Sequence, residues 1–383
     1  MSKILFISNI SNRISSFVMA SISAAHNLNI DFYQASNWQK VAKTQIVANE
    51  KDYDIKIKNI QTSRNPFSTT NLTAYKELVK LINQEKIDYI HCNTPVGGLL
   101  GRLAGKKCKV KKVIYQAHGF HFYKGAPLKN WLLYYPVEKW LARYTDALIT
   151  INREDYELAK RKMKLRNGGK VYYVPGVGVD LEKFSQAMID KSVKRRELGI
   201  PEDAVLLLSV GELNHNKNHE TVIRAIADMN VYYIIAGQGE LHQHLKELID
   251  SLNLRDRVKL LGFRRDVKEL YEAADIFVFP SFREGLSVSV MEAMASGLPC
   301  VASKIRGNTD LLENTGGGFL CDPHDASDFA EKIERLAAGV ELRKKMGRAN
   351  LMTIQKFSTE AVIKEMQNIY ATELLVNENI CLE

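Results

Sequence analysis

The chain has 383 residues, too many for one ordinary core and suited to two domains of roughly 180 residues each. Its 45% hydrophobic and 25% charged residues are ordinary for a soluble globular protein, and five scattered cysteines (Cys92, Cys108, Cys300, Cys321, Cys381) with no CxxC pair exclude a disulfide scaffold and fit a reducing cytosol. The formal charge of +9 is divided unevenly: residues 1–183 hold 29 Lys and Arg against 14 Asp and Glu, a surplus of +15, and the remainder carries −6.

The opening apolar run, 3–8, stops at a polar Asn-Ile-Ser-Asn-Arg stretch. It is too short for a signal peptide, and nothing in the chain approaches the roughly 20 apolar residues of a transmembrane helix. It reads as a first strand. Further strands are expected at 29–33, 53–60, 89–92, 113–117, 147–151 and 171–174, then at 205–210, 231–236, 258–261, 276–280 and 300–303. Helical periodicity fills the gaps; over 73–86, Leu78, Leu81 and Ile82 share a face. Strands alternating with helices predict an α/β protein whose parallel sheets are covered on both faces. Around 173–184 one Pro and two Gly interrupt any regular element, which marks an interdomain linker. The expected domains are 1–175 and 176–357, with a closing helix, 358–383, packed back on the first. Two doubly wound domains facing each other would place a ligand cleft at the carboxyl ends of their strands.

Three strand-end loops carry chemistry. In the first, His118-Gly119 lies within Tyr-Gln-Ala-His-Gly-Phe-His-Phe-Tyr-Lys-Gly, 115–125. A lone histidine there is more often a satisfied structural residue than a ligand for a sugar hydroxyl; the neighbouring aromatics add weight to the second, since sugar rings pack on aromatic faces. In the next loop, Gly211-Glu212-Leu213-Asn214-His215-Asn216-Lys217 joins a strand to a helix. Lys217 is a solvated lysine or a cation that neutralises a departing diphosphate. The last is Pro-Ser-Phe-Arg-Glu-Gly-Leu-Ser, 280–287, where a helix is expected to begin near Ser287. Its free N–H groups, with Gly285 allowing close approach, suit an anion. Glu284 precedes that helix, and Glu292 lies about two turns along it, able to accept hydrogen bonds from a ribose diol. Taken alone, either glutamate reads as well as a surface cap.

Between the first two loops, 128–144 forms an amphipathic helix in which Trp131, Leu132, Tyr135, Trp140 and Leu141 mix with Lys129, Lys139 and Arg143. Such a helix packs its apolar face on a sheet or lies on an anionic membrane. The basic cluster Arg102, Lys106, Lys107, Lys109, Lys111 and Lys112, together with the +15 half, favours the membrane; no nucleic-acid-binding motif accompanies the charge.

These stretches together resemble family four of the retaining glycosyltransferases. The resemblance rests on the Glu-x7-Glu pair of Glu284 and Glu292, the Gly-x-Leu-x3-Lys of Gly211 and Lys217, and His118-Gly119. It extends to the linker at 174–184 and to Phe357-Ser358 before the last helix, and it is nearest to bacterial capsule and exopolysaccharide transferases. It implies a GT-B fold of two Rossmann-like domains and transfer with retention. The donor would be a nucleotide diphosphate sugar, uridine diphosphate before guanosine diphosphate, and the acceptor a polyprenyl-diphosphate-linked or other membrane-held glycan. No cofactor or metal is implied. The protein would be cytoplasmic and peripheral at the inner face of the membrane. Residue by residue, Lys217 would contact the donor phosphates and Glu292 the ribose. Glu284, Gly285, Leu286 and Ser287 would hold the donor sugar and β-phosphate, and His118 the transferred sugar. Gly262, Phe263 and Arg264 would line the base pocket.

The chain departs from the family at two places. Glu212 stands where an arginine is common, leaving Arg283 or Arg264 to compensate, and the loop 8–16 has no glycine. Its lack of glycine also argues against a nicotinamide-dependent oxidoreductase, which needs Gly-x-Gly-x-x-Gly there. A sugar-nucleotide epimerase should lack the Glu284/Glu292 spacing, while an inactive nucleotide-sugar-binding subunit would keep it. Asp52-Tyr53-Asp54, at the head of an expected strand, is a poor metal site, and His215/His219 and His242/His244 lack a third ligand.

Overall fold

A strand with helices on both sides must be apolar on both faces, and Ile4, Leu5, Phe6 and Ile7 are all buried in β1 (Lys3–Ile10) of the computed structural model. The structure describes residues 1–185 and 190–375. It forms two compact units, Met1–Val177 with Glu360–Glu383, and Gly178–Thr359.

In the first unit β1 is followed by α1 (Ser16–Asn27), β2 (Asp31–Asn37), α2 (Lys43–Tyr53), β3 (Lys56–Asn59), α3 (Thr70–Glu85), β4 (Tyr89–Asn93), α4 (Pro95–Cys108), β5 (Lys112–Ala117), α5 (Leu128–Leu141), β6 (Ala147–Thr150), α6 (Arg153–Lys162) and β7 (Lys170–Tyr173). The strands pair in parallel in the order β3-β2-β1-β4-β5-β6-β7. The second unit runs α7 (Leu181–Ser185), α8 (Lys191–Glu197), β8 (Leu206–Val210), α9 (His219–Ala225), β9 (Tyr232–Ala236), α10 (His242–Ser251), β10 (Val258–Gly262), α11 (Val267–Ala273), β11 (Ile276–Phe279), α12 (Val288–Ala295), β12 (Cys300–Ser303), α13 (Asn308–Leu312), β13 (Gly318–Cys321), α14 (Ala326–Ala338) and α15 (Val340–Thr353); α16 (Thr359–Tyr370) follows and, from Glu360 on, belongs to the first unit. The second unit's parallel sheet has the order β10-β9-β8-β11-β12-β13. Each sheet reverses its winding once, between β1 and β4 and between β8 and β11. At such a switch point the crossover helices leave to opposite faces and open a crevice at the strand ends.

Two expectations are corrected. The strand expected at 53–60 starts only at Lys56. Tyr53 ends α2 and Asp54 is its left-handed cap at φ +47°, so Asp52-Tyr53-Asp54 belongs to a helix terminus. The strand pattern begins with the buried Ile55 and Ile57. β13 was not anticipated: it is a four-residue edge strand reached through Gly316, Gly317 and Gly318, residues that read as a loop.

The chain's end returns to the first unit. Val362, Met366, Ile369 and Tyr370 of α16, with Leu374 in the π turn Ala371–Leu375, join Ile4, Phe6 and Tyr89 in one core cluster. Tyr370 Oη lies 2.7 Å from His91 Nδ1, Tyr89 donates to the Leu374 carbonyl at 2.8 Å, and Tyr172 donates to Glu373 at 2.6 Å. Residues 376–383 of the expected closing helix, Cys381 among them, lie outside the described residues.

A charged cluster lies at the amino ends of the central strands β8 and β11 of the second unit. Arg195 is buried, donating to Asp275 and to the carbonyls of Ala273, Glu202 and Ala204. Asp275 also accepts from the Leu206 N–H and pairs with Lys191, both at 2.8 Å. Burial pushes the Asp275 carboxyl up, but Lys191, the Leu206 N–H and Arg195 outweigh it and hold it below its ordinary value. A depressed carboxyl contributes stability that is complete above the unfolded value, about 3.9, and is lost as pH falls through the folded one. Melting temperatures are therefore expected to hold from pH 7 to about 5 and to drop below about 4. Asp275→Asn should be less stable at pH 7 and lose less on acidification; an acid limb of the same size in this variant would contradict the assignment.

Candidate functional site

β8 and β11 are neighbours at the switch point of the second unit, so the loops that leave them, 211–218 and 280–287, lie side by side. Asparagines stitch them together. Asn214 caps a 3-10 turn, His215–Lys217, by accepting from the Lys217 N–H at 3.0 Å. The Asn216 carbonyl accepts from the Phe282 N–H at 2.8 Å, and its side chain donates to the Arg283 carbonyl at 3.0 Å. Asn218, in the left-handed region at φ +54°, donates to the carbonyls of Pro280 and Pro323 at 3.1 and 2.9 Å. This frame brings two expected site residues together: Lys217 Nζ lies 2.7 Å from Glu284 Oε1. The ammonium also stands 4.7 Å over the Phe279 ring, a further attraction for a cation. Gly211 leaves room for the lysine stem, since a Cβ there would stand 3.3 Å from the Lys217 Cδ and Cε.

Ser287 is the N-cap of α12, its hydroxyl accepting from the Val290 N–H at 3.4 Å. The first turn of α12 therefore starts beside Glu284, Gly285 and the buried Leu286. The close approach at this corner depends on Gly307, where a Cβ would collide with the Gly285 carbonyl. The preceding residue, Arg306, is buried and donates from Nε to the Glu284 carbonyl at 3.1 Å. Glu292, on the second turn, accepts from the Tyr271 hydroxyl at 3.0 Å. Burial pushes its carboxyl above the usual range, against the pull of Tyr271 and Lys183.

The β10 end supplies Gly262 at φ +67°, whose carbonyl accepts from the Gly237 N–H at 2.9 Å, and the exposed Phe263. Arg264 is held by Asp266 and Glu197, with Nε 2.7 Å from Asp266 Oδ1. Both of these partners are acids, so its charge is already paired. Glu212 is exposed and accepts from Asn214 at 2.8 Å. Arg283 is exposed beside Glu284.

His118 belongs to the first unit, at the end of β5, where Gly119 follows at φ +115°. Burial pushes the imidazole down to about 4, so it is neutral near pH 7. Of the neighbouring aromatics, His121 and Tyr123 are half-buried and His121 stacks on Tyr134 at 4.6 Å. Phe120 and Phe122 are buried and stack at 4.8 Å, and Phe122 packs on Trp131 and Tyr135 of α5. Trp131, Tyr135 and Leu141 therefore face the core, as in the reading of this helix as packed on the sheet. At the switch point of this unit, Thr94 caps α4 at φ +61° and ψ 156°, a conformation costly for a β-branched residue.

Three of the other histidines are engaged separately. His219 contacts the Glu212 carbonyl at 3.2 Å, His244 pairs with Glu220 at 2.8 Å, and His215 packs against Phe282. Among the described residues no cluster of three His, Cys, Asp or Glu could hold a metal, and no helix is long and apolar enough to cross a membrane. Tyr271, Asn216, Asn218 and Arg306 escaped sequence reasoning. The three asparagines within 214–218 were a turn signal that could have marked their loop; nothing local distinguished Tyr271 or Arg306.

Two family profiles match the chain. Glycosyl transferases group 1 covers residues 190–351 and Glycosyl transferase 4-like covers 3–152. EpsD of Bacillus subtilis (strain 168), which carries the name of a glycosyltransferase, is 37% identical over 377 residues, 96% of each chain. An Escherichia coli enzyme, UDP-Gal:alpha-D-GlcNAc-diphosphoundecaprenol alpha-1,3-galactosyltransferase, is 30% identical over 309 residues, 79% of each chain. Among solved structures, Anabaena HepE in complex with UDP-glucose superposes with a TM-score of 0.78 at 20% identity, over 97% of this chain and 100% of that one.

Proposed function

Since the chain belongs to the group 1, family-4-like glycosyltransferases and has their GT-B fold, we propose that it moves a hexose or N-acetylhexosamine from a uridine diphosphate sugar to a membrane-held, polyprenyl-diphosphate-linked glycan, with retention, in bacterial capsule, exopolysaccharide or O-antigen synthesis. The observation that carries this reading is the Lys217–Glu284 pair beside the start of α12. A cation and a turn of free amides at one switch point form a site for a diphosphate. The donor and acceptor classes are supported by two relatives, the galactosyltransferase named for a UDP donor and an undecaprenol-linked acceptor and HepE crystallised with UDP-glucose.

In this mechanism Lys217 exchanges Glu284 for the donor phosphates, and its charge stabilises the nucleotide diphosphate as it leaves. The freed Glu284 accepts hydrogen bonds from the sugar hydroxyls. Glu292, oriented by Tyr271, accepts from the ribose, while Gly262, Phe263 and Arg264 border the base. Gly285, Leu286 and Ser287 offer backbone donors to the β-phosphate, and His118 takes a sugar hydroxyl as a neutral group. The leaving phosphate oxygen receives the acceptor's proton on the face it departs from, so the anomeric configuration is kept and the protein's part is positioning and charge. No resident metal is assigned.

A panel of nucleotide sugars tests this reading. A UDP-sugar is expected to raise the melting temperature and to be transferred to an undecaprenyl-diphosphate-linked sugar, with the donor's anomeric configuration preserved by NMR and the rate unchanged by EDTA. If no nucleotide sugar raises the melting temperature and none releases nucleotide, the reading is wrong; an inverted product or loss of activity in EDTA would remove the mechanism alone.

A further inference from the structure

We propose that the outward face of α5, with the basic residues around it, docks this protein on an anionic lipid bilayer; the inference rests on the membrane-held acceptor read above. At 100° per residue, the inward half of α5 carries Trp131, Tyr134, Tyr135 and Leu141, which pack on the first unit's core. The opposite half should then be polar. It carries instead Leu128 at 73% exposure, Leu132 at 70%, Leu133 at 53%, Val137 at 45% and Trp140 at 44%. So many large apolar groups on one exposed face mark an interaction surface.

The charges around the stripe identify the occupant. Its outward half has Lys129 and Lys139, both exposed, and no acid. The one acid of α5, Glu138, points inward, where Arg102 binds it at 2.8 and 3.1 Å. Exposed Lys124 precedes the helix and exposed Arg143 follows it. At the end of α4, Lys106, Lys107 and Lys109 are exposed, and Lys106 donates to Tyr144 at 2.9 Å, next to the ring that Trp140 meets edge-on at 5.3 Å. An apolar stripe flanked chiefly by basic side chains, although Glu154 accepts from the Lys124 N–H at 2.7 Å, and with a tryptophan near one end, complements anionic headgroups above acyl chains. At 14 residues the helix lies in the interface and does not cross it.

Flotation of the full chain with vesicles tests the surface. Vesicles of phosphatidylglycerol mixed with phosphatidylcholine are expected to bind it, phosphatidylcholine alone much less, and high salt to release it. Leu132→Ser with Leu133→Ser should lower the partition coefficient about tenfold, and Lys129→Glu with Lys139→Glu by a similar factor for anionic vesicles only. Both pairs are exposed, so melting temperatures should stay near wild type. Failure of the wild type to bind anionic vesicles, or unchanged binding by the leucine variant, would overturn the proposal. So would self-association in solution that the leucine variant abolishes, because the stripe would then be a protein contact. Nucleotide release from the sugar donor, measured without vesicles, should be untouched by either variant. A protein that binds vesicles but uses no donor keeps this surface and loses the functional reading.

Discussion

Lys217→Ala is expected to lower kcat/KM for sugar transfer about a hundredfold to a thousandfold, the usual effect of deleting one preorganised group that stabilises developing charge. The stitched asparagine loop fixes the position of the ammonium, which spends no reorganisation at the moment of bond breaking. Its ion pair with Glu284 is partly exposed, at 19% and 15%, and its stability contribution should not exceed about 1 kcal/mol. Activity and folding should therefore separate: the melting temperature falls by a few degrees while transfer nearly stops. Lys217→Arg should not restore the rate, because a planar fork at this position cannot reproduce a compact ammonium over the Phe279 ring. Initial rates at limiting donor, with melting curves of the same samples, provide the check. A variant that keeps more than about a third of wild-type kcat/KM would remove Lys217 from the reaction.

Arg102→Ala should unfold the first unit more readily, at a cost of about 3–5 kcal/mol, because it leaves one half of a buried charge pair behind. Arg102 is 1% exposed. Besides Glu138 it donates to the Gly98 carbonyl at 2.8 Å and stacks 3.8 Å from the centre of the Tyr115 ring. Burial alone would favour losing the proton, but Glu138 and Tyr115 more than compensate and raise the guanidinium further above its ordinary value. Replacing both partners, Arg102→Met with Glu138→Leu, should recover most of the loss, since no charge is then stranded. Urea unfolding of the two single variants and the double variant measures this directly. Equal losses in the single and double variants would show that packing, not the charge pair, holds α4 to α5.

Much of the architecture was legible because doubly covered strands announce themselves. Runs such as Leu206-Leu207-Leu208 and Ile276-Phe277-Val278-Phe279 have no polar alternation, and only a parallel sheet under helices uses them so. β13 was not legible, since a short edge strand beside three glycines has too little side chain to show a pattern. The faces of α5 stayed open for the opposite reason: apolar residues occur all round it, so periodicity cannot say that Trp131 turns inward while Leu132 and Leu133 turn out. For the candidate site, turn chemistry and spacing located the loops. The hydrogen bonds from Tyr271 to Glu292 and from Arg306 to the Glu284 carbonyl span 21 and 22 residues. Contacts at such distances leave no trace in a local reading.

The way α16 and the π turn cover the first sheet has a consequence for how the protein is made. Ribosomes deliver the seven strands early, yet Tyr89, His91 and Tyr172 must wait for Leu374, Tyr370 and Glu373, about 200 to 285 residues later. The second unit is one uninterrupted stretch and can finish during synthesis. The nascent first unit is left with an apolar flank in need of chaperone cover until residues 360–375 have emerged, and a premature stop codon near position 360 would leave it uncovered for good.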